Sequence, residues 1–566
     1  MNRIAIDIEA NGLNELVLDR KGGVVYEADT IWCIALVDVD TGAEQVFGPN
    51  DIAGAIEVMR SATLLIGHNI ICYDLPVICR LYDRVTTPVY DTLIVSRLMY
   101  PDKRTHPLGG NSLKCWGEYM KCLKLDYEGG WDSYSEEMMT YCLQDTKVAA
   151  KIFHNQQSFV SQHKKTVKLE HMVTDIIADQ IGNGFGFDVD KALDLEQELL
   201  YDKSEIEDEM RDIFPPIVEE RYSDKTGKRL KDKVTIFNPS SRQQIAERLK
   251  SKYGWKAPRT DKGNPKVDAD VVKKLDYPEA KELVKYFDII KTMAFLKDWI
   301  TRAENSRDKK IHSSVNPQGT VTGRMTSSQP NLQQVTSDKR IRALFVPREG
   351  WVEVGIDASG LEARMLANRM APWDNGEYGR VVLDGDIHET NMEATGITER
   401  SKVKTFFYGF IYGAGDAKVG KIIGKNAQAG KKLKENFLNN LPALRKLIES
   451  CKFQSLKKKT ITLLDGREAP CRSQHSSLNV QLQGDGAIVM KLAQCIFADK
   501  INKEYKGRAL FMATVHDEWQ LECEPEIADA IGKLGVNSIK EAGDRLGCLI
   551  PMDGEYKIGN NWWDCH

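Results

Sequence analysis

The first third of the chain alternates between two hydrophobic periods. Runs with period two predict strands at 3–8, 31–39 and 63–66. Runs with helical spacing predict helices at 52–60 and 75–81. Strands that alternate with helices are typical of α/β domains, so we predict one that ends near residue 155.

The rest of the chain has a different pattern. From 188 to about 303 it is charged and mostly helical, with breaks at Phe214-Pro215-Pro216 and in a polar stretch through Lys233, which predicts an elongated helical domain. Strands return near 311–315 and 351–356, helices dominate to about 456, and mixed structure follows. We therefore expect a multidomain protein of the α/β and α+β classes.

Composition narrows the possible functions. A chain of 566 residues is longer than one hydrophobic core usually organises, so several domains are expected. Acidic residues (82) outnumber basic ones (78), so contact with nucleic acid would depend on local basic patches. The 12 cysteines lack zinc-site spacing and are typical of a reduced protein. Without a signal-peptide pattern or a run of about eighteen apolar residues, we expect a cytoplasmic protein that does not enter a membrane.

A first set of acids lies in the N-terminal domain. Asp7 and Glu9 are two apart on a predicted strand, so they project from one face and repel unless a cation lies between them. Paired acids on a strand are more typical of a solvated face, but further acids follow. Asp74 opens a predicted helix, and Tyr141 and Asp145 lie four apart on another.

These residues resemble the three exonuclease motifs of DnaQ-like proofreading domains. The motifs are Asp-x-Glu at 7–9, Asn-x-x-x-Tyr-Asp at 69–74 and Tyr-x-x-x-Asp at 141–145. The resemblance implies an RNase H-like 3′ to 5′ exonuclease domain over 1–187, including a connecting helix. The resemblance implies that Tyr141 orients the attacking water. It also implies that two Mg²⁺ ions, or Mn²⁺ as an alternative, are bound by Asp7, Glu9, Asp74 and Asp145. Because none of the acids is replaced, we expect an active exonuclease.

A second set of acids lies in the second half of the chain. Asp357 ends a predicted strand, and His516-Asp517-Glu518 interrupts a predicted hairpin, although acidic hairpin turns are common. Between them, a predicted helix carries at every fourth position Arg400, Lys404, Tyr408 and Tyr412. Such a stripe suits a nucleotide, with phosphates on the cations and a base on the rings. A solvated basic face that merges into core aromatics is the alternative.

These segments resemble the three polymerase motifs of family A DNA polymerases. Motif A matches Asp357-x-Ser359-x-x-Glu362-x-Arg364, motif B matches Arg400-x-x-x-Lys404-x-x-x-Tyr408-Gly409-x-x-Tyr412-Gly413, and motif C matches His516-Asp517-Glu518. The likeness is nearest to replicative polymerases of bacteriophages. It implies a right-hand polymerase after the exonuclease domain, with a thumb at 188–310, a palm at 311–386 and 476–566, and fingers at 387–475.

The resemblance also assigns residues of a two-metal phosphoryl transfer. Asp357 and Asp517 would hold two Mg²⁺ ions, with Ala358 adding its carbonyl and Glu518 completing the catalytic acids. Nucleotide contacts are implied for Arg400, Lys404, His388, Tyr408, Tyr412 and Glu362. The first three would bind the triphosphate, the tyrosines would contact the base and the templating position, and the glutamate would exclude ribose. DNA contacts are implied for Arg324, Asn479, Gln483 and His516.

The expected partners follow from the same likeness. Primer-template DNA and dNTPs are the substrates, a replicative helicase-primase is a candidate partner, and the location is the host cytoplasm if a phage encodes the chain. Some phage relatives carry a thumb insertion that recruits a host processivity factor. The corresponding stretch here, 214–238, is short, which argues against such a partner.

Three other classes compete with this interpretation. A nuclease alone would use the C-terminal two thirds only to bind nucleic acid. A scaffold with dead sites would have no need of six intact acids that are costly to bury. A single-subunit RNA polymerase would not be expected to carry the exonuclease motifs or Glu362.

Overall fold

The computed structural model describes residues 2–13, 17–18, 24–25 and 27–566, which form two compact units. The first combines Met1–Gly186 with Ile311–His566, and the second is Phe187–Lys310. Within the part described, no helix has the length and apolar character that crossing a membrane requires.

The N-terminal region of the first unit is an α/β domain. Its elements in chain order are β1 (Arg3–Ala10), β2 (Val17–Leu18), β3 (Val24–Val25), β4 (Ile31–Asp38), β5 (Glu44–Phe47), α1 (Ile52–Ser61), β6 (Leu64–Gly67), α2 (Asp74–Leu81), β7 (Val89–Asp91), α3 (Thr92–Met99), α4 (Leu113–Tyr119), α5 (Glu136–Gln162), α6 (Lys164–Asn183) and β8 (Phe185–Phe187). The main sheet has the order β5-β4-β1-β6-β7, in which β1 is antiparallel to β4 and parallel to β6. The predicted strands and helices of this region are therefore present.

Strand β1 separates two cores. Ile4, Ile6 and Ile8 pack with α1 and α2 on one face, as their alternation predicts. On the other face Asp7 and Glu9 pair in register with Ala35 and Cys33 of β4, and α5 contacts both strands. The acids of β1 therefore project toward the long helix that carries the third exonuclease motif.

The second unit is mainly helical. It contains α7 (Val189–Ile213), β9 (Ile217–Tyr222), β10 (Arg229–Thr235), α8 (Arg242–Tyr253), α9 (Ala269–Val272) and α10 (Pro278–Asn305). Residues of α7, α8 and α10 bury a common core around Met210, Leu249 and Leu283. The stretch that was expected to be irregular and polar is instead the hairpin of β9 and β10. Its strands have no buried face, so no period-two pattern marks them in the sequence.

The remainder of the first unit surrounds a four-stranded sheet. Its elements are β11 (Lys310–Ile311), β12 (Ser314–Asn316), β13 (Thr326–Ser328), α11 (Lys339–Arg342), β14 (Phe345–Val346), β15 (Val352–Ala358), α12 (Leu361–Asp374), α13 (Glu377–Asp384), α14 (Ile387–Thr395), α15 (Arg400–Ile411), α16 (Asp416–Ile422), α17 (Ala427–Asn440), α18 (Pro442–Lys458), β16 (Thr460–Thr462), β17 (Glu468–Pro470), α19 (Ser477–Glu504), β18 (Ala509–Val515), β19 (Glu518–Cys523), α20 (Ala528–Arg545) and β20 (Gly554–Gly559). The antiparallel sheet has the order β18-β19-β15-β20. Helix α20 packs on β15 and β20 and against α19. Helix α19 is buried around most of its circumference.

A buried ion cluster ties the two regions of the first unit together. Glu170 of α6 accepts hydrogen bonds from Lys491 of α19 at 2.8 Å and from Arg467 at 2.6 Å. Although burial acts in the opposite direction, the two cations hold the pKa of Glu170 below its usual value. Helix α6 is thus fixed to the C-terminal region of this unit by ion pairs in which Glu170 and Lys491 are buried and Arg467 is largely buried.

Candidate active sites

The two aspartates of the predicted polymerase site are brought together by backbone pairing. Asp357 lies near the end of β15, the inner strand between β19 and β20. The next residue, Ala358, donates its backbone N–H to the carbonyl oxygen of Asp517 at 3.1 Å. His516, before Asp517, has a φ of 59°, a left-handed conformation that forms the turn between β18 and β19. Residues that are far apart in sequence therefore lie side by side.

Like charges crowd Asp357. Burial, together with the neighbouring carboxylates of Asp517, Glu518 and Glu555, raises the pKa of Asp357 to about 7. Burial also raises the pKa of Asp517, and Arg324 partly opposes this. Carboxylates that repel one another in a half-buried site are stabilised when a divalent cation binds. The donor set is of oxygen atoms, which fits Mg²⁺.

Glu518 differs from the two aspartates in its surroundings. One carboxylate oxygen accepts hydrogen bonds from Trp562 Nε1 at 2.9 Å and from Gln520, and the other lies 3.0 Å from His566 Nδ1. Both oxygens are therefore engaged with protein groups. These contacts favour a role in anchoring the C-terminal residues beside the site, and the predicted catalytic role of Glu518 stays a prediction.

Glu362 is the centre of a small polar cluster. Its Oε1 accepts a hydrogen bond from the Tyr412 hydroxyl and another from Arg324 Nη2 at 3.2 Å. Tyr412 follows the last residue of α15, and Glu362 lies in the first turn of α12. The structure thus joins the predicted ribose-excluding glutamate, the predicted guard of the templating position and the predicted DNA-contacting arginine.

The cationic end of α15 lies beside α14. Arg400 forms an ion pair with Asp386, whose carboxylate also caps α14 by accepting from the backbone N–H of His388 at 2.9 Å. Burial and the nearby charges of Arg400 and Lys404 lower the pKa of His388. The three predicted triphosphate contacts, Arg400, Lys404 and His388, therefore lie in one region of positive potential. Asp386 is the anion that pairs with Arg400 there.

Tyr408 connects this field to the acids. It is half-buried on α15, and burial together with the charges of Glu362 and Asp517 raises its pKa. Helix α15 therefore runs from cations to a ring, and Glu362 of α12 and Asp517 lie near that ring, which fits the predicted nucleotide stripe. The alternative of a solvated basic face that merges into core aromatics does not account for the acids at the far end.

The predicted DNA contacts also converge. Arg324, Asn479, Gln483 and His516 line one cavity of about 500 Å³. Asn479 and Gln483 lie four apart on α19, and the buried Oδ1 of Asn479 has no hydrogen-bond partner among the described residues. Amide groups that face an open cavity can bond to base edges.

The acids of the predicted exonuclease site are more deeply placed. Asp74 accepts a hydrogen bond from the backbone N–H of Ile8 at 3.2 Å, which fixes α2 against β1. Burial and the charge of Asp145 help to raise the pKa of Glu9 to about 9, and burial raises that of Asp74 to about 7. The pKa of Asp7 is raised well above its usual value by burial and by Glu9. Four crowded carboxylates fit a site for divalent cations.

Two residues of this site were missed in the sequence. Lys124 forms an ion pair with Asp145, and its Nζ lies 4.5 Å from the centre of the Tyr141 ring. Cys142 donates to the carbonyl oxygen of Asp7 at 3.3 Å, and its thiol lies in a group with the carboxylates of Asp7 and Glu9 whose ligand atoms are within 4.8 Å of one another. Burial raises the pKa of this thiol, which keeps it protonated and unsuited to Mg²⁺. Cys142 lies three residues before Asp145 on α5, and this helical spacing could have indicated it, whereas no periodic signal marks Lys124.

Comparison with known proteins identifies the family of this chain. A family model described as DNA polymerase family A matches residues 218–564. The DNA-directed DNA polymerase of Escherichia phage T7 is 31% identical in an alignment 718 positions long that covers 100% of both chains. The DNA-directed DNA polymerase of Enterobacteria phage T3 is 30% identical, with 99% of both chains covered. Because the T7 alignment is longer than this chain, that relative has segments without a counterpart here.

The fold has a counterpart among solved structures as well. The POL domain of Pol1 from M. smegmatis superposes with a TM-score of 0.79 at 17% identity, covering 99% of this chain and 96% of that one. Because the family model matches more than half of the chain and the T7 relative is 31% identical over its full length, the chain belongs to DNA polymerase family A. Its relatives over the full length make it a DNA-directed DNA polymerase of the phage type, which confirms the resemblance found in the polymerase motifs.

Proposed function

We propose that this polymerase adds dNTPs to a primer 3′ end by two-metal phosphoryl transfer and that its N-terminal domain proofreads the product as a 3′ to 5′ exonuclease. The observation that carries the proposal is the presence of two separate acid clusters, each crowded enough to raise carboxylate pKa values. The M. smegmatis structure with a similar fold is a complex with DNA primer-template and dNTP, which supports these substrates.

The polymerase region would position both reactants. Bound Mg²⁺ would supply a Lewis acid that lowers the pKa of the primer 3′ hydroxyl at the polymerase site and of the attacking water at the exonuclease site. Asp357 and Asp517 would hold the ions for extension, joined through the bond from Ala358 to Asp517. Arg400 and Lys404 would bind the triphosphate once its phosphates replace Asp386 as the partner of Arg400.

The N-terminal region would hydrolyse the terminal phosphodiester. Asp7, Glu9, Asp74 and Asp145 would hold the ions, and Tyr141 would orient water from the same helical face as Asp145. Lys124 keeps Asp145 in place through its ion pair. The thiol of Cys142 joins α5 to β1 beside the acids by its hydrogen bond to the backbone carbonyl of Asp7.

Separate removal of each cluster tests the proposal. Asp357→Asn should abolish primer extension while digestion of single-stranded 3′ ends continues, and the Asp7→Ala, Glu9→Ala double variant should show the reverse. The two variants are matched controls for each other's folding. A nuclease alone would show no dependence on Asp357, and an inert scaffold would show neither activity.

A further inference from the structure

A basic cleft lies between the N-terminal region and the polymerase region of the first unit. It has a volume of about 900 Å³ and is lined by side chains from both regions. Its cations are Arg97, Lys103, Lys114, Lys124 and Arg472. No Asp or Glu side chain lines it in the described part of a protein whose net charge is −4. Lys124 and Arg472 pair with acids that do not line the cleft, but the other cations leave a local excess of positive charge, which favours a polyanion.

The cleft borders the exonuclease acids and the cavity of the predicted DNA contacts. Lys124, at one end, pairs with Asp145 of the exonuclease site. At the other end the cleft shares Thr320, Val321 and Arg472 with the cavity that contains the predicted DNA contacts. Arg472 therefore lies where the two cavities meet.

Arg472 is held there by an acid from the opposite region. Its Nη2 and Nε donate to the two carboxylate oxygens of Asp102 at 2.6 and 3.0 Å. Asp102 is 5% exposed and also accepts from the backbone N–H of Arg104, whereas the Arg472 side chain is 45% exposed. A guanidinium that is paired on one side and open on the other can contact a phosphate without leaving its position.

We propose that Arg472 is a positioning residue that guides the 3′ end of a primer strand from the polymerase cavity into the basic cleft, with Asp102 holding the guanidinium in place while its open side contacts a phosphate. The inference rests on the proposed exonuclease function. In this arrangement Arg472 affects how often a frayed primer end reaches the acids of the exonuclease site. Arg472 takes no part in the chemical step at either acid cluster.

The test compares two substrates for one enzyme. The rate of excision from a primer-template with three mismatched terminal bases is divided by the rate of digestion of the same primer as a single strand. In Arg472→Gln we expect this ratio to fall about tenfold, the effect of losing one charge-assisted contact. Arg472→Lys keeps the charge and should recover part of the ratio. Binding of the mismatched primer-template should also depend less on salt, by about 0.7 to 0.9 in the slope of log affinity against log salt.

Two further variants separate guidance from architecture. Asp102→Asn keeps the shape of the acid but loosens its hold on Arg472, so the ratio should stay at the wild-type value or rise. Arg508→Gln removes an arginine paired with Glu524 away from the cleft and should leave the ratio unchanged. The inference is wrong if Asp102→Asn lowers the ratio as far as Arg472→Gln, because the pair would then only hold the regions together. Failure of the proposed exonuclease would differ, since the wild type would not digest the single strand.

Discussion

The two acid clusters of this polymerase differ in how they are built. In the N-terminal region Glu9, Asp74 and Asp145 are 8%, 3% and 3% exposed, and a lysine already neutralises one of them. In the polymerase region Asp357 and Asp517 are half-buried, and Asp517 lines a cleft together with Arg324. One cluster is enclosed by its own domain, and the other opens toward the cavity that the predicted DNA contacts line.

This difference fits the substrates that we propose for the two sites. A closed cluster with its own cation suits a substrate that is threaded in as one flexible strand. An open cluster at the end of a β-sheet, flanked by the cationic helix α15, suits a bulky duplex end and a nucleotide that arrive separately. The four predictions that follow test this contrast, beginning with the largest expected effect.

Removal of one acid should affect only its own cluster. Asp517→Asn should lower primer extension at least about thousandfold, since a metal ligand contributes several kcal/mol to the transition state. Digestion of single strands by the same variant should stay within about twofold of the wild type. Steady-state assays of both activities measure this. Equal losses of both activities would show that the clusters do not act independently.

Disruption of the ion cluster at Glu170 should loosen the connection between the regions. Glu170→Gln leaves Lys491 and Arg467 without their full counter-charge in a buried place, so we expect the free energy of unfolding to fall by about 3 kcal/mol. Denaturant unfolding measures the loss. Glu524→Gln removes an exposed partner of Arg508 and serves as the control, with an expected loss below about 1 kcal/mol.

Substitution of Glu362 should weaken sugar discrimination. Glu362→Ala opens space and frees Tyr412 and Arg324, so ribonucleotide incorporation relative to dNTPs should rise about tenfold, the effect of one steric or hydrogen-bond contact. Single-nucleotide incorporation assays measure the ratio. Tyr412→Phe keeps the glutamate and should change the ratio less. Unchanged discrimination in Glu362→Ala would remove this role.

The smallest effect should appear in stability as a function of pH. Glu9 and Asp74 have pKa values of about 9 and about 7 in the folded chain, above their usual values of 4.5 and 3.8. Acids with raised pKa values bind protons more tightly in the folded state, so without divalent cations stability should fall as pH rises from about 4 through these values. Mg²⁺ should therefore raise the melting temperature more at pH 8.5 than at pH 6, by a few degrees, which corresponds to about 1 kcal/mol.

The double variant Asp7→Ala, Glu9→Ala provides the control for this measurement. It lacks two of the repelling acids, so in EDTA it should melt at a higher temperature than the wild type at pH 8.5. A smaller difference is expected for Asp357→Ala, since its acid is less enclosed. A melting temperature of the wild type that does not depend on pH in EDTA would contradict the raised pKa values.

Much of the local architecture could be predicted from the sequence. The alternation in β1 placed Asp7 and Glu9 on one face and Ile6 and Ile8 on the other, because side chains in a strand follow the period of the backbone. Likewise, the spacing of four residues predicted that Tyr141 and Asp145 share a face of α5 and that Arg400, Lys404 and Tyr408 share a face of α15, because side chains on a helix follow its period. The hairpin of β9 and β10 was missed, since strands that are exposed on both faces leave no pattern.

Contacts between distant segments could not be predicted in this way. Lys124 lies outside any helix or strand and meets Asp145 only because the chain folds back over α5. The bonds of Glu518 to Trp562 and His566, and the pair of Arg472 with Asp102, join residues that have no spacing relation.

The sequence by itself determined which residues are candidates for the chemistry and which face or turn of an element each one occupies, because backbone periodicity acts over a few residues. Only the tertiary structure decided which acids stand alone, which are neutralised by a nearby cation and which are already engaged by protein groups. Those properties depend on burial and on charges from distant segments, and both arise when the chain packs.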